Sequence, residues 1–293
     1  MAMNIKHGGT EMPYLFLALA MVTGSAQTIG TKQYNVKAKH KNQYLYSAMM
    51  IAFAMLVFFV IAKFKFEFSA SFLPYALAFG ISYLCAILCS SFAISCGPLS
   101  LTSLFISFSM LIPALYGIIF LGDDMTVFFY VGLVLLVISL ILINAKNETV
   151  KITPKWIILM SIAFVSNGMC SVFQTMQQRA CGGKYKSEFM ICALAIAFVT
   201  LFVIGMTVSR KRIGELRSCI SFAAVSGSSN AALNYFIMIL QGMLSPAILF
   251  PSYSAGAMLI MYIVSRFIYR EKLSIVQSVG YAVAVASIIF LNL

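Results

Sequence analysis

Amide and hydroxyl side chains recur at helical spacing in otherwise apolar stretches of this sequence. Asn167, Ser171, Gln174 and Gln178 form one such series, and Ser226, Asn230 and Asn234 form another. Gly24, Gln27, Thr28 and Thr31 make a third, and Ser103 with Ser107 a fourth. Residues three or four apart share a helix face, so each series is a polar stripe on an apolar rod. The chemistry open to such stripes is hydrogen bonding without fixed charge, since an amide carries both donors and an acceptor. Ser252 and Tyr253 add hydroxyls beside Pro251, which removes a backbone donor and bends a helix. Serine and threonine also glue apolar helices together, at roughly 0.6–2 kcal/mol per bond. The bulkier amides are harder to satisfy by packing alone. Gln27, Thr28, Ser107, Asn167, Ser171, Gln174, Asn230, Asn234 and Tyr253 are therefore the expected solute-binding residues.

Acid–base and metal chemistry are not expected. The eight acids fall in tails, loops or helix ends, and His7 and His40 lie outside the apolar stretches. An enzyme working inside such stretches needs a nucleophile with a base, or a metal with His and acid ligands. The seven cysteines form no C-x-x-C pair, and most act there as small hydrophobes. No G-x-x-x-x-G-K-[ST] loop is present for an ATP-driven pump. No catalytic residue, metal or cofactor is expected, and the chain is not expected to be an enzyme.

The elements that carry the stripes follow from composition. The 293 residues are 61% hydrophobic and only 10% charged, against roughly 25% charged in soluble domains. Spanning a bilayer core takes roughly 20 apolar residues as a helix. Ten runs meet this pattern: Pro13–Thr31, Tyr44–Ala62, Phe72–Ser95, Leu99–Phe120, Val127–Ile143, Trp156–Thr175, Met190–Val208, Ser221–Gln241, Ala247–Ile268 and Ile275–Leu293. Helices are required because backbone polar groups in lipid need internal partners. The short alternating segments of a β-barrel are absent from the pattern. The first run is read as a retained helix rather than a cleaved leader.

The chain also repeats itself. Pro98–Asn144 aligns without a gap on Pro246–Asn292 at a shift of 148, matching Pro98 to Pro246, Gly132 to Gly280, Ser139 to Ser287 and Asp123 to Glu271. Gly24, Thr31 and Gln33 align more loosely with Gly168, Thr175 and Gln177. The expected architecture is an all-α membrane protein of ten transmembrane helices: a polar tail 1–12, a five-helix repeat 13–145, a connecting loop 146–155 and a second five-helix repeat 156–293. An odd number of crossings per unit inverts the second unit relative to the first, the arrangement many secondary transporters use around a site near the bilayer midplane.

On these residues, Pro98 through Asp123 with Gly132 and Pro246 through Glu271 with Gly280, the chain resembles the drug/metabolite transporter superfamily in its EamA-type branch. In that family the acidic loop usually reads Gly-Glu followed by a hydroxyl residue. Here it reads Gly122-Asp123 in one half and Arg270-Glu271 in the other. The resemblance implies a transporter of small metabolites such as amino acids, nucleosides, vitamins or drugs. The alternatives are a non-transporting membrane sensor or scaffold and, further behind, an intramembrane enzyme.

The net charge of +12 fits the same picture. Of the 20 Lys and Arg, 14 fall on one side of the ten runs. Basic loops of this kind collect on the cytoplasmic face and meet anionic lipid, so no nucleic-acid partner is expected. The expected partners are the lipid bilayer and a small-molecule substrate, with the chain a monomer or homodimer in the plasma membrane.

Overall fold

The computed structural model describes residues 12–38, 42–96, 99–123, 125–144, 153–208, 220–268 and 274–291. Among them the chain is helical, with no strand. The helices are α1 (Met12–Ala38), α2 (Gln43–Ile61), α3 (Leu73–Cys96), α4 (Leu99–Phe108), α5 (Leu111–Leu121), α6 (Val127–Asn144), α7 (Pro154–Ala180), α8 (Lys186–Val208), α9 (Ile220–Leu240), α10 (Pro246–Ile263) and α11 (Ile275–Leu291). A π-helical turn, Val264–Ile268, continues α10. Seven helices, α1, α2, α3, α7, α8, α9 and α10, are long and apolar enough to cross a membrane. Val127, Phe120, Ile119 and Ile275 are among the large apolar side chains left on the outside, as lipid-facing surface requires.

The remaining three expected crossings depart from the sequence reading. Helices α6 and α11 carry shorter apolar stretches, and the run Leu99–Phe120 is not one helix but two. Pro113 explains the break. It has no N–H, and its ring crowds the carbonyl four residues earlier, that of Ser109. The Ser109 carbonyl instead accepts from the Ile112 N–H at 3.1 Å, and the Met110 N–H reaches the Ser107 carbonyl at 3.4 Å, so the chain tightens locally between α4 and α5.

Helix starts follow their side chains. Asn42 and Ser245 cap α2 and α10 by accepting from Leu45 and Ile248, and Pro246 occupies the first turn of α10. Ser274 and Gln277 exchange bonds of 3.2 and 3.0 Å at the start of α11, a capping box. Thr153 accepts from the Trp156 N–H and Pro154 opens the first turn. For that reason α7 begins inside the expected loop 146–155, and it also runs on past Thr175 to Ala180.

Packing is antiparallel between the main partners: α1 lies on α9, α3 on α7, and α6 on α11. Helix α2 lies against α8 and α9, α3 against α8, and α5 against α10. Glycines mark the closest approaches. A Cβ on Gly132, near the start of α6, would lie 2.7 Å from the Leu291 nitrogen at the end of α11. One on Gly280, near the start of α11, would lie 2.9 Å from the Ile143 nitrogen at the end of α6. A Cβ on Gly80 of α3 would meet the Ala193 carbonyl of α8 at 2.6 Å, and one on Gly227 of α9 would collide with the Met50 carbonyl of α2. Small residues at these points let backbones touch, which is how apolar helices associate in lipid.

One loop acid reaches a helix end. Asp123, after α5, sits beside Ala247 and Ser245 at the start of α10, with Arg179 near it. Its Oδ2 is buried with no hydrogen-bond partner. Burial raises its pKa above the ordinary carboxylate range, against the opposing pull of the Ala247 N–H, Arg179 and Ser245. A carboxyl raised in the folded state favours folding most while protonated, below its unfolded pKa, and that contribution is lost as pH rises through the folded value. The melting temperature of the purified protein is therefore expected to fall as pH rises above the ordinary carboxylate value of about 4, and Asp123→Asn is expected to flatten that slope. An unchanged slope in the variant would assign the effect to other groups.

Candidate functional site

The antiparallel contact of α1 with α9 brings the polar stripes of these helices together at mid-length. Asn230 Nδ2 donates to Gln27 Oε1 at 3.2 Å. One turn along α9, Asn234 Nδ2 donates to the Asn230 backbone carbonyl at 2.9 Å and approaches Asn230 Oδ1 at 3.4 Å. From α7, Gln174 Nε2 donates to Asn234 Oδ1 at 3.3 Å and lies 4.0 Å from Met190 Sδ of α8. The Tyr83 side chain of α3 stands beside Asn230. Four amides from three helices thus form one hydrogen-bonded chain, with Asn230 and Gln174 buried and Gln27 and Asn234 half-buried.

The direction of this chain is determined by its surroundings. A backbone carbonyl can only accept, so the Asn234 nitrogen must face the Asn230 carbonyl and its oxygen must face Gln174. Gln174 then has to donate, and Met190 sulfur, a weak acceptor, reinforces that choice. Asn230 correspondingly turns its nitrogen to Gln27. Every amide donates in the same sense, Gln174 to Asn234 to Asn230 to Gln27. Among the described residues, the Gln27 Nε2 donor and the Gln174 Oε1 acceptor make no hydrogen bond.

A second polar group lies toward the α2 N-terminus. Tyr46 is stacked on Tyr34 with centroids 3.8 Å apart and ring planes 6° apart. Its hydroxyl donates to Ser226 Oγ at 2.9 Å, with Thr31 Oγ1 at 3.4 Å. Ser226 and Thr31 both donate to the Gln27 backbone carbonyl, at 3.4 and 3.0 Å. The aromatic pair is thereby tied to the backbone of the residue that ends the amide chain. Toward the opposite end, Gln241 Nε2 donates to Thr175 Oγ1 at 3.1 Å, and Gln178 donates to Gln177.

Of the residues expected from sequence, Gln27, Asn230, Asn234 and Gln174 meet in the chain. Asn167 does not join them. It donates to Ser109 Oγ at 2.6 Å, at the break between α4 and α5, and stands seven residues, about 10 Å, down the α7 axis from Gln174. Ser171 lies between them, half-buried, its carbonyl accepting from Thr175 Oγ1. Ser107 is half-buried and closes the break through its carbonyl, while Ser103 falls outside the residues whose side chains are described. Thr28 follows Gln27 by one residue, about 100° around the helix. It is exposed and its hydroxyl donates to the Gly24 carbonyl at 3.0 Å. The Tyr253 hydroxyl fits over Gly24, in the space a Cβ would fill. Sequence reasoning did not foresee Tyr34, Tyr46, Tyr83, Ser109 or Met190 in these contacts. The only signal for the tyrosines was a hydroxyl set inside or at the edge of an apolar run.

No family model and no curated protein matches the chain. A solved structure, described only as the crystal structure of a protein, is similar in fold, with a TM-score of 0.75 at 13% identity. The likeness covers 95% of this chain and 96% of that one, so the whole architecture is shared. At that identity the likeness concerns the fold alone.

Proposed function

We propose that this chain is a secondary transporter of the drug/metabolite transporter type, EamA branch, moving a small metabolite across the plasma membrane as a facilitator or exchanger. In this reading α4 with α5 forms a single broken crossing, and α6 and α11 are short crossings. Ten crossings then arise as two inverted five-helix repeats. The packing supports it. The contact of Gly132 with Leu291 and that of Gly280 with Ile143 are one contact related by the shift of 148. Exchanging the two halves turns α1 on α9 into α7 on α3, and α2 on α9 into α8 on α3. The same exchange leaves α2 on α8, α5 on α10 and α6 on α11 as they are.

The observation that carries the functional reading is the amide chain with an open donor at one end and an open acceptor at the other. Buried polar groups that only hold helices together are normally paired. Unpaired amide ends in the middle of a helical bundle are what a solute-binding site presents. Its groups carry no charge, so no proton relay runs through them, in keeping with facilitation or exchange. Purified protein in liposomes should give saturable uptake of at least one solute from a panel of tritiated uncharged and zwitterionic metabolites. Uptake equal to that of protein-free liposomes across the whole panel would reject a transport function.

A further inference from the structure

We propose that Gln27 and Gln174 are the two specificity-determining poles of the site, reading an acceptor and a donor at opposite ends of one uncharged polar solute. The inference rests on the transport reading above and deepens it. The direction of the amide chain sets the poles. The Asn234 nitrogen on the Asn230 backbone carbonyl, at 2.9 Å, orients every other amide. What remains free is a donor at Gln27 and an acceptor at Gln174. Hydrogen bonds running in one sense polarise each other, which makes the free nitrogen a stronger donor and the free oxygen a stronger acceptor than either would be alone. A ligand must therefore bring an acceptor to Gln27 and a donor to Gln174, and the reverse orientation meets like groups at both ends.

The spacing restricts the ligand further. Gln27 binds Asn230 and Gln174 binds Asn234, one turn apart on α9. These two partners are about 6 Å apart along the helix axis, so the poles are held from successive turns of α9 and a solute that bridges them carries its acceptor and its donor on separate groups. It is also uncharged. All four amides and the Tyr83 beside them are neutral, and a full charge brought among them would lose its hydration without gaining a counter-ion. A nucleoside has this chemistry, with a base that both donates and accepts, a sugar hydroxyl several ångströms away, and no formal charge.

The test uses uridine, with uridine 5′-monophosphate and leucine as charged counterparts, and reads the melting temperature of the purified full-length protein as each is titrated to 10 mM. Uridine is expected to stabilise the wild type saturably, and the other two to do so at least tenfold more weakly. Gln27→Glu keeps the oxygen that Asn230 needs but replaces the free donor with an acceptor, and is expected to weaken the uridine response at least tenfold. Gln174→Met removes the free acceptor and is expected to do the same. Gln33→Ala, outside the chain, reports the general effect of substitution in α1 and is expected to bind uridine as the wild type does. The proposal is overturned if uridine fails to stabilise the wild type, if leucine or the nucleotide does so equally well, or if both pole variants bind uridine within threefold of the wild type. Absence of uptake for every solute would instead reject transport, and uptake without pole dependence would reject only the poles.

Discussion

Asn230→Leu is expected to weaken apparent solute affinity by at least tenfold in protein that still inserts and folds. Leucine has nearly the shape of asparagine, so the α1–α9 contact loses little volume. What it loses is the middle of the amide chain. Gln27 Oε1 no longer has the donor at 3.2 Å, and Asn234 loses its 3.4 Å approach to Oδ1 while keeping the 2.9 Å bond to the backbone and the 3.3 Å bond from Gln174. With its orienting bond gone, Gln27 is also free to turn its open donor away from the solute. With Gln27 misoriented, an acceptor buried on the solute loses its partner, which costs about 1–3 kcal/mol of binding, and each 1.4 kcal/mol is about tenfold in affinity. If the chain were only glue between α1, α7 and α9, the outcome would invert. Melting temperature and expression would drop, and the folded remainder would bind normally. Affinity and melting temperature measured on the same preparation separate the two cases.

Tyr46→Ala should produce the largest loss of stability. Tyr46 is 2% exposed and Tyr34 4% exposed, with the rings face to face at 3.8 Å. Removing a buried aromatic ring costs about 3–5 kcal/mol through lost transfer energy and the cavity left behind. Tyr46→Phe keeps the stack and loses only the donor to Ser226, which is worth about 0.5–1.5 kcal/mol. Denaturation in detergent should therefore rank wild type, Tyr46→Phe and Tyr46→Ala with a small first step and a large second. Equal losses in the two variants would mean that the hydroxyl network, rather than the stacked rings, holds α1, α2 and α9 together at this end.

These outcomes depend on features of unequal visibility in the sequence. The apolar runs follow from the hydropathy pattern, because lipid demands a continuous apolar surface and a satisfied backbone. The matched glycines were visible as spacing, and the structure gives them a cause in the close approach of α6 and α11. The break between α4 and α5 was not read from sequence. Pro113 lies five residues beyond the end of α4 at Phe108, inside a run long enough to read as one crossing. Helical spacing placed polar residues on faces but could not say which faces meet. Asn167 and Gln174 share a stripe, yet one binds Ser109 and the other Asn234. Gln27 and Thr28 are neighbours in sequence and point about 100° apart. The stacked tyrosines gave no periodic signal, because in an apolar run a tyrosine reads as one more large side chain.

The most direct test of the transport reading is counterflow in liposomes, with unlabelled solute in excess inside, tritiated solute outside, and pH and membrane potential clamped to zero difference. The expected result, for at least one solute of the uncharged and zwitterionic panel, is a transient accumulation of label above equilibrium that is absent from protein-free liposomes and strongly reduced in Asn230→Leu. Accumulation that appeared only under an imposed proton gradient would contradict facilitation or exchange through an uncharged site, and no accumulation for any solute would contradict transport itself.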